Sequence, residues 1–95
     1  MPETWFKVRW PDDTVSRCYS PSSTVTEFFD AGTAYAVPEF MRRSREALTH
    51  ASERVRAKYG YACSASAAQL AEIERTATAF SGDDTAAIII EGFEQ

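Results

Sequence analysis

From Pro38 to Gly60 the chain runs without a break, with apolar or small residues at Val37, Phe40/Met41, Ser44, Ala47/Leu48, Ala51, Val55 and Tyr59. That is the spacing of one face of an amphipathic helix. Pro38 suits the first helical position and Glu39 the first turn. Gly60 supplies the left-handed residue that ends the helix, and Tyr61 is placed to pack back on the last turn. A helix of this span is about 34 Å long. Its apolar stripe must be covered by the rest of the chain, and 95 residues in all leave room for one domain, residues 1–95, to do so.

The cover is predicted to be a sheet. Thr4 to Trp10 alternates, with Phe6, Val8 and Trp10 on one face and Trp5, Lys7 and Arg9 on the other. Pro11, Asp12 and Asp13 have turn chemistry, with Asp13 in the left-handed position. A three-residue loop pairs Trp10 with Thr14 and brings Cys18 to the face of Phe6 and Val8. A two-residue loop would bury Arg17 instead, so the first register is expected. The second strand then covers about Thr14 to Ser20, stopped by Pro21. Residues 21–36 carry Val25, Phe28, Phe29 and Tyr35, which makes them an ordered crossover holding one short strand or helical turn. After the long helix, Ser66 and Gln69 form a capping-box pattern, with Ser64 as the competing cap. Leu70, Ile73, Ala77 and Phe80 supply the stripe of a second helix. Thr85 to Phe93, apolar on both faces at Ala86–Ile90, reads as a strand either paired inside the sheet or covered on its second side. The expected fold is α+β in the order ββααβ, with both helices on one face of an antiparallel sheet.

No segment approaches 18 apolar residues, so no membrane span is expected. The start, Met1-Pro2-Glu3-Thr4-Trp5, lacks the pattern of a secretory signal. Two cysteines in such a chain point to free thiols in a reducing cytoplasm. One histidine and two cysteines cannot complete a four-ligand Cys/His zinc site, and four scattered glycines form no phosphate loop. Neither metal nor cofactor is expected. The net charge of −4 hides an asymmetry: residues 37–60 hold six bases against three acids, and the remaining residues hold four against eleven.

Three stretches carry a family resemblance: Val8-Arg9-Trp10-Pro11-Asp12, Arg17-Cys18-Tyr19-Ser20-Pro21-Ser22, and the run from Ala51 to Ser64 that ends Tyr59-Gly60-Tyr61-Ala62-Cys63-Ser64. Together the chain resembles the small nitrogen-starvation-response proteins of mycobacterial type, over almost its whole length. Genes of that family usually lie in a cluster that also encodes a nitrilase, a radical-SAM protein, an acetyltransferase and a flavoprotein. The resemblance implies a setting, nitrogen scavenging from nitriles or cyanide, and it brings no catalytic residues. The family has Gly after Trp-Pro-Asp where this chain has Asp13, a departure that touches the turn and no chemistry.

The candidate sites are few. Cys63, at the start of the second helix, gains thiolate character from the helix dipole, or else packs as a small buried residue. Cys18 is expected in the core, and a Cys18–Cys63 pair would suit a redox switch. His50 lies away from the apolar seam, expected to be exposed and paired with Glu46. Arg42, Arg45 and Arg56 share a helix face: a solvated row with local ion pairs, or a dock for an acidic protein. The acidic chain ranks nucleic acid last. Trp5 and Tyr19 oppose each other across the hairpin, away from the helices. They form a contact patch unless the 21–36 crossover covers them.

Three functions compete. The leading one is a non-enzymatic accessory or binding protein in nitrogen acquisition, with a protein from the same pathway, or a second copy, as partner. Next is a small thiol-dependent enzyme or redox-responsive regulator using Cys63. The third is a small-molecule binding module in a groove between helices and sheet.

Overall fold

The computed structural model describes residues 3–60, 64–83 and 85–94. The long helix, α1, spans Val37–Tyr59. Pro38 stands in its first turn, and Gly60 closes it at φ 82° with its N–H donating to the Arg56 carbonyl at 2.8 Å. Val37, Phe40, Met41, Ser44, Ala47, Leu48 and Ala51 are buried. Beyond Ala51 the stripe outruns the core: Val55 is half-buried and Tyr59 is exposed. Tyr61 lies outside the described residues.

The hairpin joins β1, Thr4–Arg9, to β2, Val15–Ser20. Trp10 N–H donates to the Thr14 carbonyl at 2.8 Å, and Asp13 N–H to the Trp10 carbonyl at 2.9 Å. Asp13 takes the left-handed conformation, φ 69°. This is the three-residue loop, and the register follows from it: Phe6 opposes Cys18 and Trp5 opposes Tyr19. Asp12 reinforces the turn, accepting from Thr14 N–H at 3.2 Å and from the Thr14 hydroxyl at 2.6 Å.

The crossover holds both a helical turn and a strand, where the sequence suggested one of the two. A 3-10 helix covers Ser23–Glu27, its first turn capped by the Ser22 hydroxyl. The strand β3, Ala34–Ala36, pairs with the last strand, β4, Ala87–Glu94. The order in the chain is therefore βββααβ. The sheet runs β2-β1-β4-β3, antiparallel throughout, with β4 inside it, one of the two placements its two-faced apolar pattern allows.

The second helix, α2, covers Ser64–Thr78. It opens two residues before Ser66, and the expected Ser66–Gln69 capping box does not form. Ser66 is buried inside the helix and donates to the Leu48 carbonyl of α1 at 3.2 Å. The Gln69 side-chain oxygen accepts from Tyr19 N–H at 2.9 Å, on the free edge of β2. Tertiary packing claims both side chains before a local cap can use them.

One apolar core lies between the helices and the sheet, built around Phe6, Phe29, Phe40, Leu48, Ile73 and Ile88. Phe29 of the crossover stacks on Phe6 at 5.9 Å and meets Phe40 at 5.5 Å. The crossover therefore packs on the helix side, and the alternative that it shields Trp5 and Tyr19 is set aside.

Candidate functional site

The outer sheet face is polar and aromatic. Trp5 and Tyr19 meet edge to face, ring centres 5.1 Å apart, and the Arg17 guanidinium lies 4.2 Å from the Trp5 ring centre. That separation gives a cation–π contact on the ring. Glu94 accepts Lys7 at 3.0 Å and Arg17 at 3.1 Å, and Arg9 pairs with Glu91 at 2.6 Å. The Lys7 hydrogen bond, then that of Arg17, holds the Glu94 carboxyl below the usual carboxylate range. The pairing of β4 shifts by one residue between Lys7 and Val8, which turns Glu94 to this face and Phe93 toward the core side.

Beside the aromatic pair lies an open groove of about 450 Å³. Its walls are Trp5 and Tyr19 on the sheet and Ala65 and Ala68 on α2, with Glu3 and Glu72 at the rim. The pair expected to lie away from the helices therefore borders the start of α2. The groove has a local cause. Gln69 ties α2 to the β2 edge, and the two residues facing across the gap are alanines, too small to fill it. Only the placement of α2 beside that edge reveals Ala65, Ala68 and Glu72 as walls. In the sequence they are a bare i, i+3, i+7 row.

The arginine row is anchored within the chain. Arg42 bonds Glu39 at 2.5 Å and Glu46 at 3.0 Å, and Arg45 reaches Glu74 of α2 at 3.5 Å. That last pair flanks a hollow of about 330 Å³ between the two helices, also lined by Met41 and Thr78. Arg42 and then Arg43 hold the Glu39 carboxyl below its ordinary value. Arg43, absent from the predicted row, latches the crossover: it donates to the Phe28 carbonyl at 2.9 Å and lies 5.0 Å from the Tyr35 ring centre. Arg56 is exposed beyond the core. Arg42 and Arg45 thus lie on the helix side, away from the aromatic pair, which lines a separate groove.

The thiols and the histidine divide. Cys18 is buried, and burial, followed by the negative charge of Glu72, pushes its thiol up to about 12. It packs, as the register predicts, and its thiolate is disfavoured. Cys63 lies outside the described residues, and with it the Cys18–Cys63 pair. His50 is exposed, but its neighbour is the Phe28 ring at 5.6 Å, because Arg42 occupies Glu46. Among the described residues no group of three metal-ligating side chains converges, and no helix is long and apolar enough to cross a membrane.

A family model described as nitrogen starvation-induced protein NitG matches residues 5–93. No curated protein and no solved structure matches the chain.

Proposed function

The chain belongs to the family of nitrogen starvation-induced NitG proteins, and from that premise we propose that it is a non-enzymatic accessory protein that binds a protein partner during nitrogen starvation. The family match is the observation that carries this reading. The finer setting is nitrogen acquisition from nitriles or cyanide, in the cytoplasm, beside the enzymes of a nitrilase-containing gene cluster; it rests on the sequence resemblance. The surface supports a binding role. Arg42 and Arg45 present guanidinium groups held in place by Glu39, Glu46 and Glu74, on a helix with six bases against three acids in a chain that is otherwise acidic. Side chains already ordered lose less entropy on docking. The complementary partner is a protein with an acidic patch.

The test is co-expression with each protein of the nitrilase cluster, followed by size-exclusion chromatography at low and high salt. One partner is expected to co-elute with the wild type and to be lost from the Arg42→Glu/Arg45→Glu variant, more easily as salt rises. Failure of every cluster protein to co-elute would sink the pathway assignment. Loss of nitrogen-starvation function in Cys63→Ser, with an unchanged melt, would replace the accessory reading by the thiol one.

A further inference from the structure

Trp10, at the hairpin turn, packs against Phe40 at 5.6 Å and Phe80 at 6.3 Å. The turn therefore sits at the end of the molecule that holds the start of α1 and the end of α2. Trp5 and Tyr19, at the far end of the same two strands, share the opposite end with the last turns of α1 and the first turns of α2. Two unlike features meet there. One is the aromatic groove with Glu3 and Glu72 at its rim. The other is the final stretch of α1, which continues for about two turns past Ala51, its last buried residue. That stretch carries Glu53 and Arg54, then Arg56 and Lys58 at exposed positions in its last turn, and ends on Tyr59, 52% exposed.

We propose that the groove receives the basic end of α1 from a second copy of this chain, in a twofold pair. The charges are complementary, Glu3 and Glu72 at the groove rim against Arg56 and Lys58 in the last turn of the helix. The aromatic walls suit guanidinium groups and a tyrosine ring. Placement decides between a pair and a fibre. Because groove and helix end share one end of the molecule, a twofold axis there seats each helix end in the other's groove and closes the assembly. The pair uses residues that the Arg42/Arg45 face does not, so it stands apart from the pathway reading.

Sedimentation velocity across a concentration series tests this on the full-length chain. The wild type is expected to dimerise at low salt and to dissociate as salt rises. Glu72→Lys and the double variant Arg56→Glu/Lys58→Glu should each weaken dimerisation tenfold or more. All three positions are exposed, so each variant should stay folded, with the urea melt of the double variant shifted only modestly by the lost bases in the last turn of α1. Combining the three changes in one chain exchanges the charges and should restore the dimer. A wild type that stays monomeric at low salt would overturn the proposal. So would a dimer indifferent to either reversal, or a folded triple variant that remains monomeric.

Discussion

Asp13 holds φ 69° in the hairpin loop, a conformation that costs a side-chain-bearing residue and that glycine takes freely. Its carboxylate lies 3.9 Å from Arg9 at an open surface, too loose and exposed to matter much. Asp13→Gly is therefore expected to be neutral or to stabilise by up to about 1 kcal/mol. A urea melt checks it, and clear destabilisation would refute the strain argument. Ser44 lies on the buried stripe of α1 with no hydrogen-bond partner for its hydroxyl among the described residues. Ser44→Ala should raise stability by about 1 kcal/mol, since a desolvated, unpaired hydroxyl is removed at little change in volume; a loss of that size would show a hidden partner. Cys18 is shut in the core with its thiol held protonated. In a Cys63→Ser background, alkylation of Cys18 at neutral pH should run at least about a thousandfold slower than in urea, because reaction waits for unfolding. Labelling at the rate of a free thiol would contradict the burial.

At the scale of elements, the placement of α2 depends on two side chains. Ser66 fastens it to α1 through the Leu48 carbonyl, and Gln69 fastens it to the edge of β2 through Tyr19 N–H. An apolar residue at 69 leaves that edge donor without its partner. Gln69→Leu is expected to cost about 1–3 kcal/mol and to speed hydrogen exchange at the Tyr19 amide more than at its neighbours in β2. Uniform exchange along the strand would mean that the contact is incidental. These two contacts also show where a sequence reading stops. Ser66-x-x-Gln69 has the spacing of a capping box, and nothing local reveals that both residues will be used across the fold. The crossover behaves in the same way. Its apolar anchors announce order, but a three-residue strand such as Ala34–Ala36 exists only because β4 lies beside it.

Across the molecule, four surface carboxylates are more acidic when folded. Thr14 and Thr85 donate to Asp12 and Asp83, and arginine or lysine donors hold Glu39 and Glu94, so all four titrate below their ordinary values. A depressed pKa stabilises the folded state while the group is ionised. That contribution is complete above the ordinary carboxylate range and is lost as the pH falls through the folded values. Stability is expected to be flat near neutrality and to decline below about pH 5. Added salt should screen the glutamate pairs and leave the threonine hydrogen bonds nearly untouched. Urea melts at a series of pH values, with and without salt, would measure both. Stability that rose on acidification would reverse the sign of the argument.

What the sequence determined by itself is the part governed by neighbours within a few residues. Pro38 and Gly60 bound α1, Asp13 sets the loop, and the loop sets the pairing of Phe6 with Cys18 and of Trp5 with Tyr19. Alternation in β1 reported its faces, and the two-sided apolar run in β4 narrowed its place to the inside of the sheet or under a second cover. Tertiary structure decided the rest. It gave Gln69 to a strand edge, Glu46 to Arg42 rather than His50, and Arg43 to the crossover. It also opened the groove, whose walls come from residues about 60 apart in the chain, Trp5 and Ala65 among them. The physical reason is range. Backbone dihedrals and periodicity are local properties, whereas a long polar side chain bonds whichever group the packed elements bring within about 3 Å of it.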